Sequence, residues 1–336
     1  MWNGLRIVIT VSGTNWISGT EVQRDEKMSV KILVCDPIDA EGVQKLRDEG
    51  FEVVTKPSIV KDELEKIIPE YDALVVRSRT KVSRDIIERG KRLKAIARAG
   101  AGLDNIDLEA AEKKSITVLN TPEALADSVA ELTIGLILTL ARKISLADCS
   151  MKDGKWLKVE LRGLLLKGKT LGLIGLGNIG TRVARITGEI GMKILITKRM
   201  PPSAELLRTL NAEFVPLEEL LRRSDIVSIH VPLTQETDRM IGAREVSLMK
   251  DGGLLVNTSR GGIVDEDALL GALKSGKLGG AALDVYECEP PKNLELVRLS
   301  NVLCTPHVGA QTYEAQKTAS VMVAEKIIRF FRDWMT

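Results

Sequence analysis

Short apolar runs alternate with stretches of helical periodicity along nearly the whole chain, and no other feature restricts its fold as tightly. In the first third the runs fall at residues 31–35, 73–77 and 95–98, with a weaker one at 117–119, and helical patterns begin near Ala40, Lys61 and Ser83. A long helical stretch at 128–151 and a basic connector at 152–169 follow. The alternation then restarts, with runs at 171–174, 193–197, 226–230, 254–257, 281–285 and 302–304, and closes on an amphipathic pattern at 313–334. Strands that hand over to helices pair in parallel, and a parallel sheet needs helices on both faces. The pattern predicts an α/β protein of two doubly wound parallel-sheet domains, a number that suits 336 residues. One domain is expected over 29–121 rejoined by 312–336, the other over 122–311, while residues 1–28 read as an extension, either disordered or an upstream start misread as coding.

One junction is more specific. Gly175-Leu-Gly-Asn-Ile-Gly180 fits G-x-G-x-x-G, directly after an apolar run and at the start of a helical pattern. In that setting Gly175 allows a tight turn, Gly177 lets backbone approach a pyrophosphate, and Gly180 lets helix and strand pack closely. Asn178 and Ile179 open the helix, whose free N–H groups and dipole favour an anion. The second domain is therefore predicted to be a Rossmann domain binding NAD or NADP, beside a flavodoxin-like first domain. NAD enzymes usually end the next strand with an acid that holds the ribose 2′-hydroxyl. Lys198-Arg199 stands there instead. Two bases attract a 2′-phosphate, so the pair favours NADP or dual use, with solvated surface bases as the alternative.

Forty-eight Lys and Arg against 46 Asp and Glu leave a net charge of +2, too balanced for nucleic acid or a membrane surface to be the main partner. The most apolar stretch, 129–140, contains Glu131, falls short of the ~20 residues of a membrane span, and reads as a core helix. Cys35, Cys149, Cys288 and Cys304 form no C-x-x-C pair. That spacing argues against a structural zinc site and for reduced thiols in a cytoplasm; no metal site is expected.

Ligands of open α/β sheets sit beyond the carboxyl ends of the strands. Arg260, Glu289 and His307 each follow such an end. The trio suits hydride transfer at C2 of a small 2-hydroxy or 2-keto acid. Negative charge grows on the carbonyl oxygen as hydride arrives; an arginine polarises that oxygen and holds the adjacent carboxylate. A histidine gives and retakes the proton, and a neighbouring carboxylate fixes its tautomer and favours its charged form. The other histidine, His230, reads as cofactor-pocket lining or structural. In the first domain, Arg77-Ser-Arg-Thr-Lys81 and Arg98-Ala-Gly-Ala-Gly102 follow successive runs. Amides of the glycine turn can hold a carboxylate and the arginines a phosphate, although Arg79 and Lys81 also read as exposed loop charges.

The glycine turn, Asn257-Thr-Ser-Arg-Gly-Gly-Ile-Val-Asp265, Ala282-Leu-Asp-Val-Tyr-Glu287 and Pro306-His-Val-Gly309 resemble the motifs of D-2-hydroxyacid dehydrogenases, from about Val30 to the C-terminus. Within that family Val76-Arg-Ser-Arg-Thr-Lys-Val82, Arg98-Ala-Gly-Ala-Gly-Leu-Asp-Asn105 and His307-Val-Gly-Ala-Gln-Thr312 most resemble D-3-phosphoglycerate dehydrogenases. The resemblance implies Arg260, Glu289 and His307 as catalytic residues. It implies that Ile179, Thr258, Asp284 and the His307–Ala310 loop, Gly309 included, surround the cofactor, with Asp284 near the nicotinamide. It also implies that Arg77, Ser78, Arg98, Ala99 and Gly100 meet the substrate, and that the chain is a homodimer with the 128–151 helix in the contact. Three departures stand out. Lys198 replaces the usual acid. Leu125, in Glu123-Ala-Leu-Ala-Asp127, replaces a common substrate-facing Asn. The sequence ends after the 313–334 pattern, which implies a short form without the serine-sensing regulatory domain of longer relatives.

The leading expectation is oxidation of 3-phosphoglycerate to 3-phosphohydroxypyruvate, the entry to serine synthesis. A glyoxylate or hydroxypyruvate reductase is the alternative, favoured by Lys198-Arg199; formate dehydrogenases carry Gln at the position of Glu289. An NAD(P)-sensing binding protein or co-repressor is the alternative from another class.

Overall fold

The structure, a computed structural model, describes residues 30–335; the 1–28 extension lies outside them. Twelve strands form two sheets, parallel throughout. The first joins β1 (Lys31–Val34), β2 (Glu52–Thr55), β3 (Ala73–Val76), β4 (Ala95–Arg98) and β5 (Thr117–Asn120) in the order β2-β1-β3-β4-β5, the flavodoxin-like arrangement. The second joins β6 (Thr170–Ile174), β7 (Lys193–Thr197), β8 (Ala212–Phe214), β9 (Ile226–Ile229), β10 (Gly253–Asn257), β11 (Leu278–Leu283) and β12 (Val302–Cys304) in the order β12-β11-β10-β9-β6-β7-β8. Outward from β6 this is the Rossmann order with one strand added. The strand order reverses between β6 and β9, so their carboxyl ends open the crevice where ligands of such sheets bind.

Central strands β3, β9 and β10 are buried at every residue, as expected for a parallel sheet covered on both faces. The edge strands β2 and β8 went unrecognised in the sequence. Each buries no residue fully, so neither carries a continuous apolar run. The helical pattern at 128–151 is in fact two helices, Ala126–Arg142 and Ile144–Lys152. Lys143 adopts φ 53°, and its N–H caps the first helix on Leu140 and Thr139 carbonyls. A left-handed residue cannot continue a right-handed helix. Helix Ala126–Arg142 packs on β10 and β11, and helix Tyr313–Met335 returns to β4, β5 and the Ala40–Asp48 helix. Val323, Ala324, Ile327 and Phe331 of the latter join Leu46 and Phe51 in the first sheet's core. Among the described residues no helix is long and apolar enough to cross a membrane.

Candidate active site

The turn after β6 depends on its glycines. Gly175 adopts φ 100°, and a Cβ there would lie 2.6 Å from the His230 carbonyl oxygen. A Cβ on Gly180 would lie 2.5 Å from the Gly175 carbonyl oxygen. Over Gly177 the opposite holds, with nothing within 4 Å of an added Cβ. Helix Asn178–Glu189 starts there with no side-chain cap, so its first amides stay available to an anion. Tight packing behind the turn and open space in front of it fit a dinucleotide pyrophosphate. Lys198 and Arg199 follow β7; Lys198 is half-buried, and Arg199 is exposed, 3.7 Å from Glu236. His230 follows β9, with Nε2 2.9 Å from the Ser228 hydroxyl. Burial pushes its imidazole down to about 4, so it is neutral at pH 7.

Three loops at neighbouring strand ends build the second half. After β10, Asn257 donates to the Arg260 carbonyl (2.8 Å) and accepts from the Ser259 amide (3.1 Å), which sets the turn carrying Arg260. The Thr133 hydroxyl donates to the Val129 carbonyl, so Thr258 is the donor in the 2.9 Å bond between their hydroxyls. Arg260 donates through Nε and Nη2 to Asp104 Oδ2 (2.9 and 2.8 Å) and through Nη1 to the Ser259 carbonyl (2.7 Å).

Asp284, after β11, is buried and holds the third loop. Its Oδ1 accepts from the Thr305 hydroxyl (2.7 Å) and the Val308 amide (2.8 Å), and its Oδ2 from the Gly309 amide (2.9 Å). Ser128 donates to the Gly309 carbonyl from the other side. Between these anchors His307 adopts φ 52°, and its Nδ1 lies 3.0 and 2.9 Å from the two Glu289 oxygens. Glu289 is itself bound by the Tyr286 amide at 3.4 Å. With Nδ1 occupied, Nε2 is the ring atom left for a ligand. Asp284 thus shapes the histidine loop with both oxygens, whereas the sequence suggested only a position near the nicotinamide.

The first sheet contributes less free charge than its sequence implied. Arg79 donates to the Cys35 carbonyl (2.6 Å) and the Ile59 carbonyl (3.2 Å) and pairs with buried Asp36 at 2.9 Å. Burial, and next the Asp36 charge, push the Cys35 thiol up to about 12. Arg79 is therefore tied into the loop's framework. Arg77 gives one side-chain bond, Nη1 to the Pro37 carbonyl at 3.2 Å, and burial lowers its pKa. Arg98 donates from Nε to the Arg77 carbonyl at 3.2 Å. Ser78 and Lys81 are exposed. The Ala99 and Gly100 amides are satisfied by the Val76 and Arg98 carbonyls. Those of Ala101 and Gly102 have no backbone partner, which moves the available amides two residues along the turn. Leu125 is buried in the first sheet's core and offers no polar contact. Asp104 and Asn257 stood in the motifs without a role, and Asp36 in none, because their partners lie far away or on backbone atoms.

A family model described as "D-isomer specific 2-hydroxyacid dehydrogenase, NAD binding domain" matches residues 134–309. The chain is 50% identical over 302 residues to hydroxypyruvate reductase of Thermotoga maritima, covering 89% of this chain and 97% of that protein. It is 48% identical over 304 residues to D-3-phosphoglycerate dehydrogenase of Methanocaldococcus jannaschii, covering 90% of this chain but only 58% of that protein. Among solved structures, D-lactate dehydrogenase from Aquifex aeolicus complexed with NAD and lactic acid superposes with a TM-score of 0.82 at 31% identity, covering 90% of this chain and 96% of that one. The acyclic imino acid reductase Bsp5, in complex with NADPH and D-Arg, gives 0.83 at 28%, covering 90% and 98%.

Proposed function

The chain belongs to the D-isomer specific 2-hydroxyacid dehydrogenases, and from that premise we propose that it interconverts 3-phosphoglycerate and 3-phosphohydroxypyruvate, with His307 as proton carrier and a preference for NADP. The observation that carries the chemistry is the His307–Glu289 pair at 2.9 Å, with Nε2 left open. The nicotinamide, when bound, supplies or accepts the hydride. The amides after Gly177 would hold the pyrophosphate of the dinucleotide, and Lys198 with Arg199 would hold the 2′-phosphate. Arg260 grips the substrate carboxylate and the C2 oxygen. During reduction His307 Nε2 gives its proton to that oxygen, and in oxidation it takes the proton back, a role typically worth ~10²–10⁴ in rate. Glu289 holds Nδ1 and so fixes which nitrogen faces the substrate. Arg77, Lys81 and the Ala101 and Gly102 amides receive the C3 phosphate.

A second reading, reduction of unphosphorylated hydroxypyruvate or glyoxylate, is favoured by Arg79, whose engagement with Asp36 removes one cation from the phosphate end. Steady-state assays crossing 3-phosphohydroxypyruvate, hydroxypyruvate and glyoxylate with NADH and NADPH separate the two. Highest kcat/KM for the phosphorylated acid is expected; a higher value for either unphosphorylated acid selects the second reading. No turnover with any of them would favour a binding protein.

The reading includes a homodimer. Exposed Ile144, Leu146, Met151, Trp156 and Leu165 cluster along helix Ile144–Lys152 and the connector after it, beside a cleft of about 510 Å³ that Leu146 and Leu164 help line. Exposed apolar surface of this kind favours self-association. Light scattering should return twice the chain mass, and Trp156→Asp should shift it toward one.

A further inference from the structure

Arg260 has five N–H donors in a rigid plane. Three are engaged here: Nε and one N–H of Nη2 by Asp104 Oδ2, and one N–H of Nη1 by the Ser259 carbonyl. Two remain, one on each terminal nitrogen. Because Asp104 lies on the Nε side, the spare Nη2 N–H points along the end edge of the guanidinium, an edge that can take a carboxylate in bidentate fashion. Without Asp104 the side chain could rotate and offer either edge.

Asp104 comes from the other sheet, on the turn after β4, 156 residues away in sequence. A second observation shows that the turn is shaped for this contact. A Cβ on Gly102 would lie 1.6 Å from Arg260 Nη2 and 2.6 Å from Asp104 Oδ2, so any side chain there would expel the guanidinium. Arg98 Nη1 stands 3.9 Å from the same Asp104 oxygen. Burial alone would raise the Asp104 carboxyl, but the hydrogen bond and charge of Arg260 outweigh it and hold it below the usual range. The carboxylate is therefore ionised across neutral pH. Half-exposed as it is, the pair adds little stability; its consequence is orientation.

We propose that Asp104 is a positioning residue for Arg260, holding the guanidinium by its side edge so that the end edge faces the substrate carboxylate. This rests on the role given to Arg260 above. The test is a double-mutant cycle on the full-length protein, reading kcat/KM with hydroxypyruvate, the inhibition constant of oxamate with cofactor bound, and the Kd of the reduced cofactor alone. Asp104→Ala should lower kcat/KM by roughly 30–100-fold, the scale of a misplacement of about 1 Å, and weaken oxamate similarly. Cofactor Kd and the thermal midpoint should stay close to the parent's. Asp104→Asn, which keeps an oxygen at the same reach, should recover part of the loss. In an Arg260→Ala background, Asp104→Ala should cost almost nothing more. Asp104→Ala within threefold of the parent, while Arg260→Ala loses a hundredfold or more, would overturn the proposal. So would an undiminished Asp104 effect in the Arg260→Ala background. An Arg260→Ala variant that turns over normally would instead remove the role assigned to Arg260 itself.

Discussion

Two arginine-bearing loops follow strand ends in this molecule, one after β3 and one after β10, and they use their charge in opposite ways. Arg79 has its charge matched by buried Asp36 and donates from both terminal nitrogens to two carbonyls. Arg260 meets an exposed carboxylate and one carbonyl and keeps two donors for a ligand. The difference lies in the acceptors each loop supplies, not in the residue. The role of a cation in a motif therefore depends on the partners that the fold sets beside it. The two histidines repeat the contrast: His230 is partly buried and neutral, whereas His307 is 45% exposed with Nε2 open.

The largest effect is expected at His307. Its replacement by Gln should lower kcat by about a hundredfold or more while the Kd for reduced cofactor, read by fluorescence, stays within about twofold. Normal turnover in that variant would remove the histidine from the chemistry and level it with His230. For His230 the expected effect is on stability. Its folded pKa, about 4, lies below the unfolded 6.5, so the unfolded chain binds the proton first as pH falls. Stability should then drop between pH 6.5 and 4, by on the order of 3 kcal/mol. Urea midpoints across that window should fall more steeply for the parent than for His230→Gln; equal slopes would contradict the assignment.

Arg77 and Arg79 give the next contrast. Arg77→Ala should raise KM for 3-phosphohydroxypyruvate about tenfold, the order of one lost charge-assisted bond, with less change for hydroxypyruvate. Arg79→Ala should leave both KM values alone and cost about 1–2 kcal/mol of stability, because Asp36 keeps its bonds from Thr80 and the Arg77 amide. Equal KM effects from the two would erase the distinction between framework and ligand. The smallest effect is expected at Lys198, where Asp should shift the ratio of NADPH to NADH efficiency about fivefold toward NADH, the scale of one exposed charge contact.

Much of this architecture was legible in the sequence because it rests on local patterns. The parallel alternation, the glycine turn and the strand ends bearing Arg260, Glu289 and His307 each follow from a few adjacent residues. What was not legible depends on distant partners or on half-exposed backbone. β2 and β8 lie at sheet edges, where one exposed side weakens the apolar signal. The break at Lys143 rests on one left-handed residue that is not glycine. Asp104 reads as a loop acid until Arg260 arrives from the other sheet, and Arg79 reads as a free base until Asp36 is seen beneath it.

The proposed chemistry turns on hydride leaving C2 while His307 removes the hydroxyl proton. A D-2-hydroxy acid carrying deuterium at C2, incubated with oxidised cofactor, follows that atom directly. Mass spectrometry of the reduced cofactor should show the deuterium retained in the nicotinamide ring, with none passing to water. Deuterium released to solvent, with unlabelled reduced cofactor, would contradict hydride transfer at C2.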